Sequence, residues 1–523
     1  MSTSSPYDVI IIGSGAGGAA AAYGLVLAGL NVLILEKGAP LPRDGSTLDD
    51  KQVVTCGEFL SKEPWLDGDG HAICPEEHFN LGGKTKWYGA AVLRYSPREF
   101  EPDIDYSARG WPITHEDLAP YYAQAERLLG VRTFDCEPGL KRILDRLSAV
   151  NAAWQSVPLP MALSSDILRN TREATHFDGF ASVANLKGDA DVSFLKLVAD
   201  KPNLAIRTRA EVVELLPAAE SVVADPATAG SAAARCERDG AAAELAEPGG
   251  VNLAARVGGV RLAGGEELRA PIVLLAGGAL HSPRLLGRYI AANGPSPQPA
   301  YPGQVGRNLK KHVLTALVAV SLSRQSDLLR KTMLTTHTEY PHSTVQPLGF
   351  DGDLIATQIP KIVPRFLARA IGRHAYGFFV QTEDGSNPNN RVFERAAQGE
   401  GASAAHEPPL RIMDYDVTRT PASQREHRAF TRAFQRDLLR IGMLSFTQRI
   451  GLNGTAHVNG TLATGKDPSD CVVDPNGAVF GIAGLYVVDG SVLPRSSRVN
   501  PSLSIYAWGL RVADLLAKSL RPL

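Results

Sequence analysis

The sequence has almost no excess charge of either sign. Its 54 Lys and Arg residues are balanced by 55 Asp and Glu residues, and the formal net charge is −1. Proteins that attract nucleic acid or anionic membranes electrostatically concentrate basic residues instead. We therefore expect neither nucleic acid nor a membrane among the partners of this chain.

Cysteine is also scarce. The 523 residues include five cysteines, at positions 56, 74, 136, 236 and 471, and no CxxC pair occurs among them. An odd number of widely spaced cysteines argues against a disulfide framework and against a structural zinc site. We expect no metal site, and the expected compartment is a reducing cytoplasm.

Charge is missing altogether from residues 9–35. A run of this length is long enough to span a bilayer, and its place near the N-terminus is that of a secretory signal. However, residues 1–8 contain no Lys or Arg, whereas a signal peptide opens with positive charge, and six glycines interrupt the run. The pattern favours the buried part of a globular domain.

Within this run the sequence has the pattern of a strand, a tight turn, a helix and a second strand. The apolar periodicity predicts strands at residues 7–12 and 31–35 and a helix at residues 16–28. The motif Gly13-x-Gly15-x-x-Gly18 stands at the turn. Its glycines respectively permit a tight turn, close approach of a pyrophosphate, and close packing of helix on strand.

Glu36 follows the second strand, eighteen residues after Gly18. A carboxylate about 20 residues beyond the glycine motif binds the ribose hydroxyls of a dinucleotide. The strand, the helix, the glycines and the acid together predict a dinucleotide site. These residues alone leave the choice between NAD and FAD open.

The length predicts more than one domain, since domains average about 150 residues. Later segments predict paired short strands at 203–216, a buried strand at 270–277, further strands at 313–322, 375–383 and 410–418, and a helix at 423–442. Residues 217–250, rich in Ala, Gly, Ser and acidic residues, predict a surface excursion between strands. This alternation predicts a nucleotide-binding domain assembled from distant stretches, with a second domain inserted between them.

A series of ordered motifs resembles the glucose–methanol–choline (GMC) family of FAD-dependent oxidoreductases through nearly the whole chain. The matching segments are DVIIIGSGAGG (8–18), LGGKTKWYGA (81–90), GWPITHEDL (110–118), GGALHSPRLL (277–286), GRNL (306–309), HVNGT (457–461), VVD (472–474), VVDGSVLP (487–494) and NP (500–501). Their fixed order is far more specific than any one of them. The resemblance implies that the dinucleotide is FAD.

The resemblance also implies an α/β fold, α+β overall. A Rossmann-like FAD-binding domain, discontinuous in sequence, would comprise residues 1–110, 195–312 and 455–523. A substrate-binding domain built on an antiparallel sheet would comprise residues 111–194 and 313–454.

The family's cofactor contacts can be carried over by position. The resemblance implies FAD-binding roles for Gly13, Gly15, Gly18, Glu36, Gly83, Thr85, Gly89, Val213, Asp489, Gly490, Asn500 and Pro501. Fungal pyranose oxidases carry a flavin-linking histidine near the second glycine loop, where this chain has Lys86 and Trp87. Non-covalent FAD is therefore expected.

His457 and Asn500 are the catalytic residues that the resemblance implies, facing flavin N5 and the substrate hydroxyl. A neutral imidazole, with a pKa near ~6.5, is suited to accept the hydroxyl proton of an alcohol. A neighbouring amide can stabilise the developing alkoxide while the carbon-bound hydride passes to the flavin.

A His/Asn pair, together with EPWLDGDG (63–70) and the glycine loop, resembles pyranose oxidases and bacterial relatives that act on sugars and glycosides. The expected reaction is oxidation of a ring secondary hydroxyl to a keto-sugar, with molecular oxygen or another compound as electron acceptor. Three alternatives stay open: oxidation of a primary alcohol of an aminoglycoside-type pseudo-disaccharide to an aldehyde, oxidation of choline-like or aliphatic alcohols, and a non-enzymatic flavin-binding protein.

Overall fold

The computed structural model describes residues 5–218, 255–293, 302–359, 363–395 and 409–520. All of the predicted excursion at 217–250 except its first two residues lies outside the described residues. The helices are α1 (Ala16–Leu27), α2 (His115–Leu129), α3 (Pro138–Val150), α4 (Thr171–Thr175), α5 (Ala190–Ser193), α6 (Ser282–Ala292), α7 (Gly352–Gln358), α8 (Arg365–Gly372), α9 (Pro421–Arg440) and α10 (Ser502–Leu520).

The strands are β1 (Val9–Ile12), β2 (Val32–Leu35), β3 (Trp65–Asp67), β4 (Ala72–Ile73), β5 (Trp154–Pro158), β6 (Leu204–Arg207), β7 (Val212–Pro217), β8 (Ala255–Leu262), β9 (Glu267–Arg269), β10 (Ile272–Leu275), β11 (Val313–Val320), β12 (Met333–His337), β13 (Ser343–Pro347), β14 (Ala375–Thr382), β15 (Arg391–Arg395), β16 (Leu410–Asp414), β17 (Leu444–Arg449), β18 (Ile482–Ala483) and β19 (Leu485–Val487).

A five-stranded parallel sheet contains the uncharged N-terminal run. Its strand order is β19-β10-β1-β2-β6, and every pair in it is parallel. All residues of β1, β2 and β10 are buried, as expected for a parallel sheet covered on both faces. The run is thus the core of a βαβ unit. Among the residues that the structure describes, no helix combines the length and the apolar character that crossing a bilayer requires.

Helices α1 and α10 pack together closely on this sheet. A Cβ added to Gly509 would lie 2.6 Å from the carbonyl oxygen of Gly17, and one added to Gly24 would lie 2.9 Å from the Cβ of Ala513. These contacts run in the same direction along both helices. The residues that precede α10 therefore lie at the end of α1 that carries the glycine motif.

One sequence expectation about the strands is wrong. Residues 203–216 do not form a pair of short strands, because β6 pairs in parallel with β2, whereas β7 pairs antiparallel with β8. Arg209, with φ +56°, turns the chain between them. The backbone N–H of Ala210 then donates to the carbonyl of Glu36 across 2.9 Å, which directs β7 into another sheet.

A six-stranded antiparallel sheet forms the second main layer, with strand order β17-β11-β14-β13-β12-β5. Helices α3 and α9 pack against one of its faces through a shared apolar cluster. The predicted fold class, α/β with an antiparallel sheet, is therefore confirmed. A smaller sheet, β15-β16-β3-β4, joins strands from both of the predicted domains, and the domain boundaries stay a prediction.

Candidate active site

The three motif glycines lie in the turn between β1 and α1. Gly13 has φ +106°, and a Cβ there would lie 2.5 Å from the carbonyl oxygen of Ala276. A Cβ on Gly18 would lie 2.1 Å from the carbonyl oxygen of Gly13. At Gly15, the N-cap of α1, an added Cβ would meet no heavy atom of the described residues within 4 Å. The turn is therefore closely packed at Gly13 and Gly18 and open at Gly15.

Glu36 is buried at the end of β2. Its Oε2 accepts hydrogen bonds from the backbone N–H of Ser14 (3.0 Å) and the Ser14 hydroxyl (2.6 Å), and its Oε1 accepts one from the N–H of Gly38 (2.9 Å). Burial raises the pKa of Glu36, although these hydrogen bonds oppose that shift. Because each carboxylate oxygen has about two acceptor sites, Oε1 retains capacity for a ribose hydroxyl.

The loop at residues 81–86 lies directly against the glycine turn. A Cβ on Gly83 would lie 3.1 Å from the Cα of Gly15, and the N–H of Gly82 donates to the Ser14 hydroxyl across 3.0 Å. Thr85 is buried, and its hydroxyl donates to the carbonyl of Gly82 across 2.7 Å. Gly83 therefore lies directly against the turn, Thr85 is held in the same loop, and their contacts with FAD stay a prediction.

Gly89 has a different environment. A Cβ at this position would lie 2.1 Å from Asp178 Oδ1 and 2.3 Å from the Nζ of Lys331. These two side chains form a buried ion pair of 3.0 Å. Any side chain at residue 89 would displace that pair, so the glycine is explained by packing in this structure.

Asp489 is buried and saturated by donors of the chain itself. Its Oδ1 accepts from the N–H (2.9 Å) and hydroxyl (2.5 Å) of Ser491, and its Oδ2 accepts from the N–H of Gly278 (2.8 Å) and the hydroxyl of Ser282 (2.5 Å). Both oxygens thus use their two acceptor sites. The carboxylate fixes the surrounding backbone. Because its acceptor sites are filled, a contact between residue 489 and FAD would be made by main-chain groups rather than by the side chain.

Gly490 and Val213 complete the predicted cofactor positions outside the catalytic pair. The carbonyl of Gly490 accepts from the N–H of Gly460 across 3.2 Å, which joins this segment to the one that carries His457. The carbonyl of Val213 accepts from Arg288 Nη1 across 3.0 Å. Val213 lies on β7, three residues after Ala210, which is hydrogen-bonded to the carbonyl of Glu36.

The structure brings His457 and Asn500 together. Asn500 and Pro501 immediately precede α10, and the Nδ2 of Asn500 lies 3.4 Å from the Nε2 of His457. His457 lies in an irregular segment whose Thr455 carbonyl accepts a 2.9 Å bond from Lys84 Nζ. The segment is thereby tied to the loop that flanks the glycine turn, so the predicted cofactor and catalytic residues belong to one connected region.

Two residues that the sequence did not single out hold this pair. His312 is fully buried, and its Nδ1 lies 2.8 Å from the Nδ1 of His457. Gln346 on β13 donates from Nε2 to the Oδ1 of Asn500 across 2.6 Å. The positions 312 and 346 belong to no motif in the sequence and are brought to the site only by the tertiary fold.

Both histidines are uncharged at neutral pH. Burial lowers the pKa of His457 well below its ordinary value, and the positive charges of Lys331 and Lys84 add to that shift. Burial also lowers the pKa of His312 to about 4. His457 is therefore available as a proton acceptor rather than as a cation.

The residues present fit FAD. The N-terminus of α1 presents to a pyrophosphate the positive end of the helix dipole and the first backbone N–H groups of the helix, which have no intrahelical partner. Beside the catalytic pair, Asn459 Oδ1 and Ser502 Oγ are buried and have no hydrogen-bond partner among the residues that the structure describes. Asn459 stands two residues after His457, and Ser502 stands two residues after Asn500. Because buried polar atoms normally have a hydrogen-bond partner, these two oxygens are available to a bound group.

Two family models match the chain. A model described as GMC oxidoreductase matches residues 388–509, and one described as FAD dependent oxidoreductase matches residues 8–187. The first covers both His457 and Asn500, and the second covers the glycine motif, Glu36 and the loop at 81–86. The expectation that the dinucleotide is FAD is confirmed.

Curated relatives align along nearly all of the chain. A 6'''-hydroxyparomomycin C oxidase from Streptomyces lividus is 29% identical, and a paromamine 6'-oxidase from Streptomyces fradiae is 28% identical. Each alignment covers 98% of this chain and 92% of the relative. Among solved structures, formate oxidase from Aspergillus oryzae superposes with a TM-score of 0.62 at 15% identity, covering 98% of both chains, which supports the fold.

Proposed function

Because the chain belongs to the GMC family of FAD-dependent oxidoreductases, we propose that it oxidises the primary hydroxyl of an aminoglycoside-type alcohol to an aldehyde. The observation that carries the chemistry is the His457–Asn500 pair, held 3.4 Å apart in the region of the FAD-binding turn. A proton acceptor and an amide donor at one point are what the oxidation of a CH–OH group requires.

The choice of hydroxyl rests on the relatives. The name of one relative specifies position 6', and carbon 6 of a hexopyranose is exocyclic and bears a primary hydroxyl. The sequence motifs instead favoured a ring secondary hydroxyl, and that prediction becomes the second candidate because the His/Asn pair resembles that of pyranose oxidases. The two oxidases and a 2-methyl-1,2-propanediol dehydrogenase from Mycolicibacterium austroafricanum, 23% identical, each align with 98% of the chain, and all three are named as enzymes, which removes support from the non-enzymatic alternative. The higher identity of the two oxidases favours sugar-like alcohols over choline-like or aliphatic ones.

His457 and Asn500 have separate roles in the proposed reaction. The substrate hydroxyl lies between them, and its proton passes to the Nε2 of His457. The Nδ2 of Asn500, released from its 3.4 Å contact with His457, donates to the alkoxide oxygen. Bound FAD supplies the acceptor for the hydride that leaves the substrate carbon, so the alcohol loses two electrons and one carbonyl forms.

The proposed cofactor site uses the backbone more than side chains. The N–H groups after Gly15 would bind the pyrophosphate, Glu36 Oε1 would accept from the ribose, and main-chain groups at 489–490 would meet the remaining phosphate and ribityl portion. Residues 86–87 offer no histidine for a covalent link. Acid precipitation of the purified holoenzyme is therefore expected to release all flavin into the supernatant, whereas yellow precipitate would indicate covalent FAD.

The test compares matched sugars under anaerobic conditions. Oxidised enzyme is mixed with paromamine, with methyl glucoside, and with methyl 6-deoxyglucoside, which keeps the ring hydroxyls and lacks the primary one. We expect paromamine to bleach the flavin fastest and to give an aldehyde that hydroxylamine traps, with no bleaching by the 6-deoxy compound.

Bleaching by the 6-deoxy compound with a ketone product would instead support ring oxidation. In air, consumption of oxygen in step with product would identify oxygen as the acceptor.

A further inference from the structure

The antiparallel pairing of two short segments places His312 beside the proposed base. The backbones of Lys310 and Asn459 exchange two hydrogen bonds of 2.9 Å, forming an isolated antiparallel bridge. In an antiparallel pair, the residue two positions after one partner lies opposite the residue two positions before the other. This register sets His312 opposite His457, and side chains two residues apart along a strand lie on the same face.

The hydrogen bonds of His312 determine which of its nitrogens carries the proton. Its Nε2 lies 2.9 Å from the carbonyl oxygen of Ser497, and a carbonyl oxygen can only accept. Nε2 must therefore be the protonated nitrogen. Because buried His312 is neutral, its Nδ1 is left as an acceptor.

The same reasoning then determines the tautomer of His457. Its Nδ1 lies 2.8 Å from the Nδ1 of His312, and one of these two atoms must be the donor. Since His312 Nδ1 is the acceptor, the proton resides on His457 Nδ1. A neutral imidazole has one proton, so the Nε2 of His457 carries a free lone pair directed towards Asn500.

We propose that His312 is a positioning residue that holds His457 in the tautomer required of a base, through a hydrogen-bond chain that ends at the carbonyl of Ser497. This inference rests on the proposed role of His457. When the substrate proton reaches Nε2, the resulting imidazolium keeps its Nδ1–H bond to His312, which helps to stabilise the positive charge. A catalytic histidine in the wrong tautomer can lose up to ~10⁴-fold in rate.

The alternative is that His312 only fills space. The variants His312→Asn and His312→Leu separate these roles because the two new side chains have nearly the same shape. The amide oxygen introduced by His312→Asn can occupy the position of the histidine Nδ1 and accept from His457, whereas the side chain introduced by His312→Leu has no acceptor. Both variants lose the bond to Ser497, and they differ in the side-chain amide, whose oxygen is the acceptor that His457 Nδ1–H needs.

The first measurement is the tautomer itself. The neutral holoenzyme, labelled with ¹⁵N-histidine, is studied by NMR, and the His457 signals are assigned by their loss in His457→Ala. We expect Nδ1 to be protonated and Nε2 to be bare in the native enzyme and in His312→Asn. A protonated Nε2 in the native enzyme would overturn the proposal, whatever the activity.

The second measurement is the rate of flavin reduction by the best substrate of the panel. We expect His312→Asn to stay within about threefold of the native rate, and His312→Leu to lose at least about tenfold, with KM little changed in both. Equal losses in the two variants would show a packing role and overturn the proposal. If His312→Leu does not fold, the NMR spectra of the native enzyme and of His312→Asn still show which nitrogen of His457 is protonated, and so still test the proposal. Failure of every alcohol to reduce the flavin would refute the proposed function and leave the tautomer result standing.

Discussion

Gln346 donates from its Nε2 to the Oδ1 of Asn500 across 2.6 Å. An amide side chain has one oxygen and one nitrogen end, so this bond leaves the Nδ2 of Asn500 directed at the Nε2 of His457. The donor that would meet the substrate oxygen is thus oriented from β13, on the antiparallel sheet, rather than by the segment that carries Asn500.

Replacing Gln346 by Glu tests this orientation. A carboxylate at position 346 can only accept, so it would draw the Nδ2 of Asn500 away from His457. We expect Gln346→Glu to slow flavin reduction by about 10²-fold, the lower end for a lost donor to a developing oxyanion. Gln346→Met, of similar shape and without a charge, is the control and should lose less. Stopped-flow rates that fall in the opposite order would contradict the orientation argument.

Gly15 and Gly17 provide a matched test of the cofactor site. Within the described part of the chain, a Cβ on Gly15 would meet no heavy atom within 4 Å, whereas one on Gly17 would lie 1.7 Å from the carbonyl oxygen of Val488. We expect Gly15→Ala to fold normally and to bind FAD at least about tenfold more weakly, a loss of about 1.4 kcal/mol. Gly17→Ala should destabilise the apoprotein by about 1–3 kcal/mol or more through overpacking. Titration with FAD and thermal unfolding of the apoproteins distinguish the two.

Equal FAD affinity of Gly15→Ala and the native protein would show that the pyrophosphate does not approach this position. An apoprotein of Gly17→Ala as stable as the native one would show that α1 and the segment after β19 are less closely packed than the short distance to Val488 implies.

The pH dependence of flavin reduction follows from the depressed pKa of His457. The base form is the neutral imidazole, which is present above the pKa and is lost as the pH falls through it. Because burial and the positive charges of Lys331 and Lys84 lower that pKa, the rate should stay level from pH 8 to about 6.5, the ordinary value, and fall only below it. A midpoint above pH 6.5 would contradict the assignment, provided that circular dichroism and flavin absorbance show intact holoenzyme at each pH.

The depressed pKa of His457 also lowers the stability of the folded protein as the pH falls. A histidine whose pKa is depressed in the folded state binds fewer protons there than in the unfolded chain. The free energy of unfolding therefore decreases as the pH falls below about 6.5, the unfolded value. For His312 this loss continues down to its folded pKa of about 4. Rates below pH 5 therefore need the same circular dichroism and flavin absorbance controls.

The features that the sequence predicted well are local ones. The glycine turn, α1 and β2 all fall within residues 9–35, where the periodicity and the glycine spacing are set by neighbours in the chain. His457 and Asn500 were identified through the resemblance of short segments to a family, and they proved to be adjacent in space although 43 residues apart.

The remaining features depend on long-range contacts. His312 stands 145 residues before His457, and the bridge between Lys310 and Asn459 brings the two imidazoles together. The strands β6 and β7 likewise pair with distant partners, β2 and β8, rather than with each other. Asp489 could be assigned to the cofactor region from its motif, but that all four of its acceptor sites are used within the chain is visible only in the fold.

The proposed reaction depends most on His457 as the proton acceptor. Its most direct test is the rate of flavin reduction in His457→Ala, measured anaerobically by stopped flow with the best alcohol of the panel, after FAD content and folding are matched to the native enzyme. We predict a rate at least about 10²-fold lower, the lower end for a general base. Reduction at the native rate in a fully FAD-loaded His457→Ala enzyme would contradict this role.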